Sequence, residues 1–136
     1  MPRLPLFFLI AAATCLLVGV CLGVLMGIQH DFHLAPVHAH LNLLGWTSLA
    51  LMGLTFRAYP QLHASHLPAL TQFALSTSSA FLFPVGIYLS IEHQEPALAI
   101  AASLVWLAGV AMFLVRLVLL AVARSPRRYP ALMPAE

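Results

Sequence analysis

The chain reads as an all-α integral membrane protein, an antiparallel bundle of four transmembrane helices. Three observations lead there. Of its 136 residues, 62% are hydrophobic and 7% are charged, more apolar surface than a soluble domain of this size can hide. The apolar residues fall into four runs, about 4–28, 37–59, 67–91 and 96–123, each long enough for the ~20 residues that cross a hydrocarbon core. Within each run the apolar character is continuous rather than alternating, which speaks against membrane strands. One domain covers 1–136, and 124–136 form a short, basic, Pro-rich tail.

The first run follows Arg3. Its apolar stretch exceeds the roughly 7–15 residues of a signal-peptide core, and no A-x-A site follows it. Cys15 and Cys21 lie in this run, six residues apart. On a helix they point in different directions, so no disulfide is expected between them. The second run opens near Pro36 and stops at Pro60. The third opens near Pro68 and the fourth at Pro96. Proline is tolerated at a helix start, where its missing N–H has no partner to lose. Pro84 stands inside the third run, in SSAFLFPVGIY, and predicts a kink there. The carbonyl it frees should bond a hydroxyl of Ser76–Ser79 or a water. The loops are short, so neighbouring helices should run antiparallel.

Charge sets the orientation. There is no lysine, and Arg3, Arg57, Arg116, Arg124, Arg127 and Arg128 all fall on one side of a four-span chain. Asp31, Glu92 and Glu95 fall on the other. The positive-inside rule then places both termini in the cytoplasm of a bacterial-type inner membrane, crossed several times. Arg116, about two turns from its helix end, is expected to snorkel to that surface. The tail RSPRRYPALMPAE reads as a lipid-surface segment rather than a nucleic-acid arm, so the lipid bilayer is an expected partner and nucleic acid is not.

The anomaly is the histidines, seven in so apolar a chain. His63 and His66 occupy the inner loop. His30, His33, His38, His40 and His93 gather at the outer, periplasmic face beside the three acids. His38 and His40 open the second run within PVHAHLNLLGW. At about 100° per residue they differ by about 200° and face opposite sides of one helix. That disfavours one metal ion held by both, which needs i,i+3 or i,i+4 spacing. It suits a helix wedged between two partners, each receiving one imidazole. Below His38 the stripe holds Asn42, Gly45, Leu49 and Met52; below His40 it holds Leu44, Thr47 and Leu51. Such apolar stripes with slim residues would admit a flat macrocycle. They would equally let each histidine hydrogen-bond a neighbouring helix or a lipid headgroup.

The segment HAHLNLLGW resembles the His-x-His helix of the catalytic subunit of haem-copper oxidases, especially the cbb-type oxidases and the related nitric oxide reductases. The following TSLALMGLTFRAYP is similar to that family's continuation. The likeness covers about a quarter of the chain. In the family this helix starts at the outer face and lies between two haems, one histidine ligating each. The resemblance therefore implies a haem b protein, with His38 and His40 as iron ligands and His93 as a partner imidazole from the third run. Asn42, Gly45 and Trp46 would line the macrocycle. Trp46, Asn42 and His30 would serve its propionates, and Asp31 or Glu92 would orient a ligating ring. The remaining family histidine motifs are absent, so a complete oxidase or nitric oxide reductase is not expected from this chain alone, and no catalytic residue is assigned.

The functions that follow are electron transfer with a respiratory redox partner, or the sensing or handling of haem or a gas. A second copy of the chain could supply the opposing histidine, with Gly45 and Gly53 allowing close approach, which predicts a homodimer or higher homo-oligomer. Two other readings stay open. One is a copper or zinc site built from His30, His33, His38, His40 and His93. The other is a cofactor-free accessory or assembly subunit of a respiratory complex.

Overall fold

The structure, a computed structural model, describes residues 3–123, so the tail at 124–136 lies outside the described residues. All of its regular structure among these residues is helical. Helix α1 covers Leu4–Gln29 and begins on Pro5. A short helix α2, Ala35–His40, begins on Pro36 and passes without a break into a π-helical segment, Leu41–Ser48. Helix α3, Leu49–Ala58, continues the same rod. A 3-10 turn at Pro60–His63 leads to α4, His66–His93, and α5 covers Ala97–Val122. Helices α1, α4 and α5 are each long and apolar enough to cross a membrane.

The helices pair antiparallel, as their contacts show. Along α1 and the second rod the order reverses: a side chain placed at Gly23 would meet His38, at Gly19 Asn42, at Gly45 Cys15 and at Gly53 Phe8. Between the second rod and α4, His33 meets Glu92 and His40 meets Phe83. Between α4 and α5, Gly86 abuts Ala99, Gln72 bonds Gly109, and Pro68 bonds Arg116. Arg3, Arg57 and Arg116 consequently share one end of the molecule. Asp31, Glu92 and Glu95 share the other.

Packing is closest where side chains are absent. A Cβ at Gly45 would stand 2.5 Å from the Cys15 Cβ, and one at Gly86 would stand 2.6 Å from the Ala99 Cα. Small residues that let backbones approach are the usual device of helices packing in lipid, where burial alone gives little drive. Phe8 is the centre of the main cluster, its ring 5.3 Å from Phe56 and 5.0 Å edge-on from Phe73. Such aromatic pairs add about 0.5–1.5 kcal/mol beyond burial. The exterior is as apolar as this core. Leu17, Ile28, Leu104, Leu107, Leu119 and Val122 are all exposed, an outer surface that only hydrocarbon would solvate without cost.

The π segment is the local surprise. Its i→i+5 turns are wider than α turns and are rare beyond a single turn. The hydroxyls of Thr47 and Ser48 donate to the carbonyls of Asn42, at 3.1 Å, and Leu43, at 2.8 Å, both five residues back. These bonds give the widened turns additional donors. Val37, Leu41, Gly45 and Leu49 are all buried, a row spaced four residues apart through the segment.

Several expectations are corrected here. Gly45 and Gly53 are spent on α1 within the chain, against Cys15 and against Phe8 and Pro5, so they offer no ready surface for a second copy. The Arg116 guanidinium reaches the arginine-bearing end of the molecule, where it bonds the carbonyls of Leu62 and Pro68. The serines near Pro84 do not reach the carbonyl that it frees. Ser78 and Ser79 bond back to Leu75, while the Ser76 hydroxyl accepts from Gln72, because a hydroxyl one turn below its own carbonyl has the shorter path. Cys15 is buried and Cys21 exposed, both free.

Candidate functional site

His38 and His40 leave α2 on opposite sides, as two residues on a helix must. His38 turns to α1. Its Nδ1 lies 2.8 Å from the Gly19 carbonyl oxygen. A carbonyl only accepts, so Nδ1 carries the proton and Nε2 is the acceptor. Asn42 Nδ2 stands 3.3 Å from that Nε2 and donates to the His38 carbonyl at 2.9 Å. The Nδ1 of His38 is thus engaged inside the chain, while Asn42 Nδ2 lies about equally far from both ring nitrogens, at 3.4 and 3.3 Å. The ring also fills the space over Gly23, where a Cβ would meet Cε1 at 2.8 Å. Gly19 and Gly23 let the helices close onto the side chains of Asn42 and His38, and beside them an apolar cavity of about 400 Å³ lies between α1 at Val18 and Leu22, the second rod at Val37 and Leu41, and α4 at Pro84.

His40 turns to α4. Its Nδ1 lies 2.7 Å from the Pro36 carbonyl oxygen, which fixes the proton on Nδ1 and directs an unprotonated Nε2 away from the backbone. No hydrogen-bond partner in the chain engages that Nε2 among the described residues. The ring meets Phe83 edge-on at 5.0 Å. A metal-ligating histidine is held in this way, one nitrogen tied to a carbonyl and the other left with its lone pair.

His93 closes α4 with its ring edge-on to Tyr88 at 6.4 Å. It stands ten residues beyond Phe83, about 15 Å further along the helix axis, and so does not face His40 within one chain. Trp46 packs against the main hydrophobic cluster and Gly45 against Cys15. His30 caps α1 in the left-handed conformation, φ 54°, with its N–H on the Met26 carbonyl, a position more often given to glycine. Asn42, Trp46 and His30 therefore have tasks of their own.

The outer loops hold a group that spacing alone does not reveal. His33 Nδ1 lies 2.8 Å from Asp31 Oδ1, and His33 Nε2 lies 2.8 Å from Glu92 Oε1. The His33 N–H also donates to Asp31 Oδ1 at 3.1 Å. With a carboxylate at each nitrogen the ring holds both protons. The bond to Asp31, and after it the bond to Glu92, raises the His33 pKa; the backbone N–H of His33 and then its side chain lower that of Asp31. Among the described residues no three of His, Cys, Asp and Glu are arranged to hold a metal ion. His30, His33, His38, His40 and His93 are not gathered into one copper or zinc site.

Sequence reasoning passed over one signal. Gly19, Gly23 and Gly27 repeat every four residues along α1, a pattern that marks a close helix contact in lipid, and the first two are where Asn42 and His38 dock. No protein-family model, curated protein or solved structure matches this chain.

Proposed function

We propose that the chain is a four-span inner-membrane protein that binds haem b through His40. The second rod, with α2, the π segment and α3 end to end, holds 24 residues from Ala35 to Ala58, about 36 Å at 1.5 Å per residue and enough to be the fourth span. The observation that carries the reading is the Nδ1 bond from His40 to the Pro36 carbonyl, which leaves Nε2 as a fixed, unprotonated ligand. A π-helical segment directly below it fits the same reading, since such segments are frequent at functional sites. The likeness of HAHLNLLGW to the haem-ligating helix of haem-copper oxidases points to iron in a porphyrin rather than a bare ion.

Haem b bound there would supply one-electron redox chemistry or a site for a diatomic gas. The residues of the chain would hold it: His40 as axial ligand and Phe83 against the ring of that ligand. A second imidazole would come from outside the chain, since His38 Nδ1 bonds α1 and His93 stands about 15 Å further along α4 than Phe83. A second copy presenting its own His40, or a respiratory redox partner, would complete the centre.

The visible spectrum of the purified protein tests the reading. A Soret band with reduced α and β bands of b type is expected, and His40→Ala should remove it or turn it high-spin. His63→Ala, at the far end of the molecule, should leave it unchanged. A colourless protein after expression with ample haem, or a spectrum unaltered in His40→Ala, would sink the proposal.

A further inference from the structure

At the arginine-bearing end of the molecule a full positive charge sits among apolar side chains with no acid beside it among the described residues. Arg116 Nη1 donates to the Pro68 carbonyl at 3.2 Å and Nη2 to the Leu62 carbonyl. The guanidinium carbon lies 5.0 Å from the centroid of the Phe56 ring. These contacts hold the planar fork in place, but carbonyls and a ring face bring only partial charge. Two of about five N–H donors are used, and the rest remain. Among the described residues, Asp31, Glu92 and Glu95 all lie at the opposite end.

The guanidinium opens on a cavity of about 260 Å³ shared with Gln61, Leu62, Leu119 and Leu120. A second hollow of about 310 Å³, lined by Tyr59, Leu117, Leu120 and Ala121, shares Leu120 with it. The two hollows adjoin at Leu120 and make a trough along the end of α5, with Arg116 on the wall of the first. Arg116 lies six residues before the end of α5, about 9 Å along the helix, near the depth where acyl chains meet headgroups. Its independence from the histidines makes this site separate from the proposed haem ligand.

We propose that this trough binds one anionic phospholipid. The headgroup phosphate lies on the exposed donors of Arg116, whose fork matches two phosphate oxygens, and an acyl chain follows Leu119 and Leu120. Charge complementarity selects the occupant. A zwitterionic lipid offers the same hydrocarbon but no net charge, and basic pockets between helices are where anionic headgroups bind.

The test is the thermal midpoint of the purified full chain in mild detergent, titrated with phosphatidylglycerol, with phosphatidylcholine or with inorganic phosphate. Phosphatidylglycerol should bind about tenfold more tightly than phosphatidylcholine, the factor that one charged hydrogen bond supplies, and native mass spectra should show one bound copy per chain. Arg116→Gln should abolish the preference. Because that change also frees two carbonyls and risks the fold, Leu120→Trp, which fills the trough with Arg116 intact, should abolish it too. Arg57→Gln, exposed at the same end, should keep it. Equal affinity for the two lipids, a preference that survives Leu120→Trp, or full stabilisation by inorganic phosphate alone would each overturn the proposal.

Discussion

His33 and Glu92, 59 residues apart in the chain, are joined at 2.8 Å, so that the loop after α1 is fastened to the last turn of α4. Asp31 holds the other side of the same ring. The bond ties the loop above α2, and with it the entry to the second rod, to α4.

The fastening should depend on pH in a defined direction. The His33 pKa is raised on folding, so its contribution is fully present below the ordinary histidine value and is lost as pH rises through the folded one. The Asp31 pKa is lowered, so its contribution is present above the ordinary aspartate value and is lost as pH falls through the folded one. The protection factors of loop amides 30–34, exchange rates corrected for the intrinsic rate at each pH, should thus be high between the ordinary aspartate and histidine values and fall as pH rises through the folded His33 value. Glu92→Gln should weaken the dependence. Protection that does not change with pH would show that the bond does not hold the loop.

His38 and His40 should part company on mutation. His38→Ala strips the Gly19 carbonyl and Asn42 of their partner and empties the space over Gly23, at a cost of about 1–3 kcal/mol. Thermal unfolding should register that loss while any haem spectrum keeps its shape. His40→Ala, whose ring is hydrogen-bonded only within its own helix and otherwise meets Phe83 edge-on, should cost less stability and take the spectrum with it. The reverse pattern would make His38 the ligand and the packing account wrong.

Glycine contacts offer a graded test. Gly45→Ala would drive a methyl onto Cys15 and should destabilise by about 1–3 kcal/mol. Gly86→Ala should cost more, since it strikes the backbone of α5 rather than a side chain. Gly27, with open space around it, should accept alanine with stability unchanged or raised by up to about 1 kcal/mol. Chemical denaturation in detergent would rank the three, and a costly Gly27→Ala would mean that this face meets something beyond the chain.

Gln72 is fully buried in α4. Its Nε2 bonds Ser76 Oγ at 3.0 Å and the Gly109 carbonyl at 2.9 Å, and its Oε1 has no partner in the chain. Interhelical hydrogen bonds in lipid average about 0.6 kcal/mol, and the orphaned oxygen offsets part of that gain. Gln72→Leu should therefore change stability by less than about 1 kcal/mol. A much larger loss in the same unfolding assay would assign Gln72 a task in joining α4 to α5 beyond these bonds.

Hydropathy and charge carried the reading far in some places and not in others. The apolar runs lie close to the helices because an apolar run in hydrocarbon must satisfy its backbone within itself, and Pro36, Pro68 and Pro96 stand within three residues of helix starts, where steric rules tolerate proline, while Pro60 follows the end of α3. The π segment left no trace in the pattern, since a widened turn keeps the same residues apolar and alters only their angular spacing. The partners of Arg116 were not legible, because the carbonyls of Leu62 and Pro68 belong to another part of the chain. The His33 bond to Glu92 is out of reach for the same reason. The tie from His40 to Pro36 is local, four residues back, and was within reach of the sequence once helix and rotamer were granted.

The π segment also acts as a phase adjuster. Along an α-helix every step of four residues overshoots a full turn by about 40°, so a row at 37, 41, 45 and 49 would wander about 120° around the rod. Wider turns absorb the excess and bring Leu49 back beneath Val37. Removing a single residue there, Leu43 or Leu44, would let the rod relax to an unbroken α-helix. Leu49 would then stand eleven residues after Val37, within about 20° of the same line, so the two ends of the rod would keep their aim. The two halves of the rod are aimed by separate contacts: the histidine end is set by Gly19, Gly23 and Phe83, and the arginine end by Phe8 and Pro5, with eight residues between them that take up the difference.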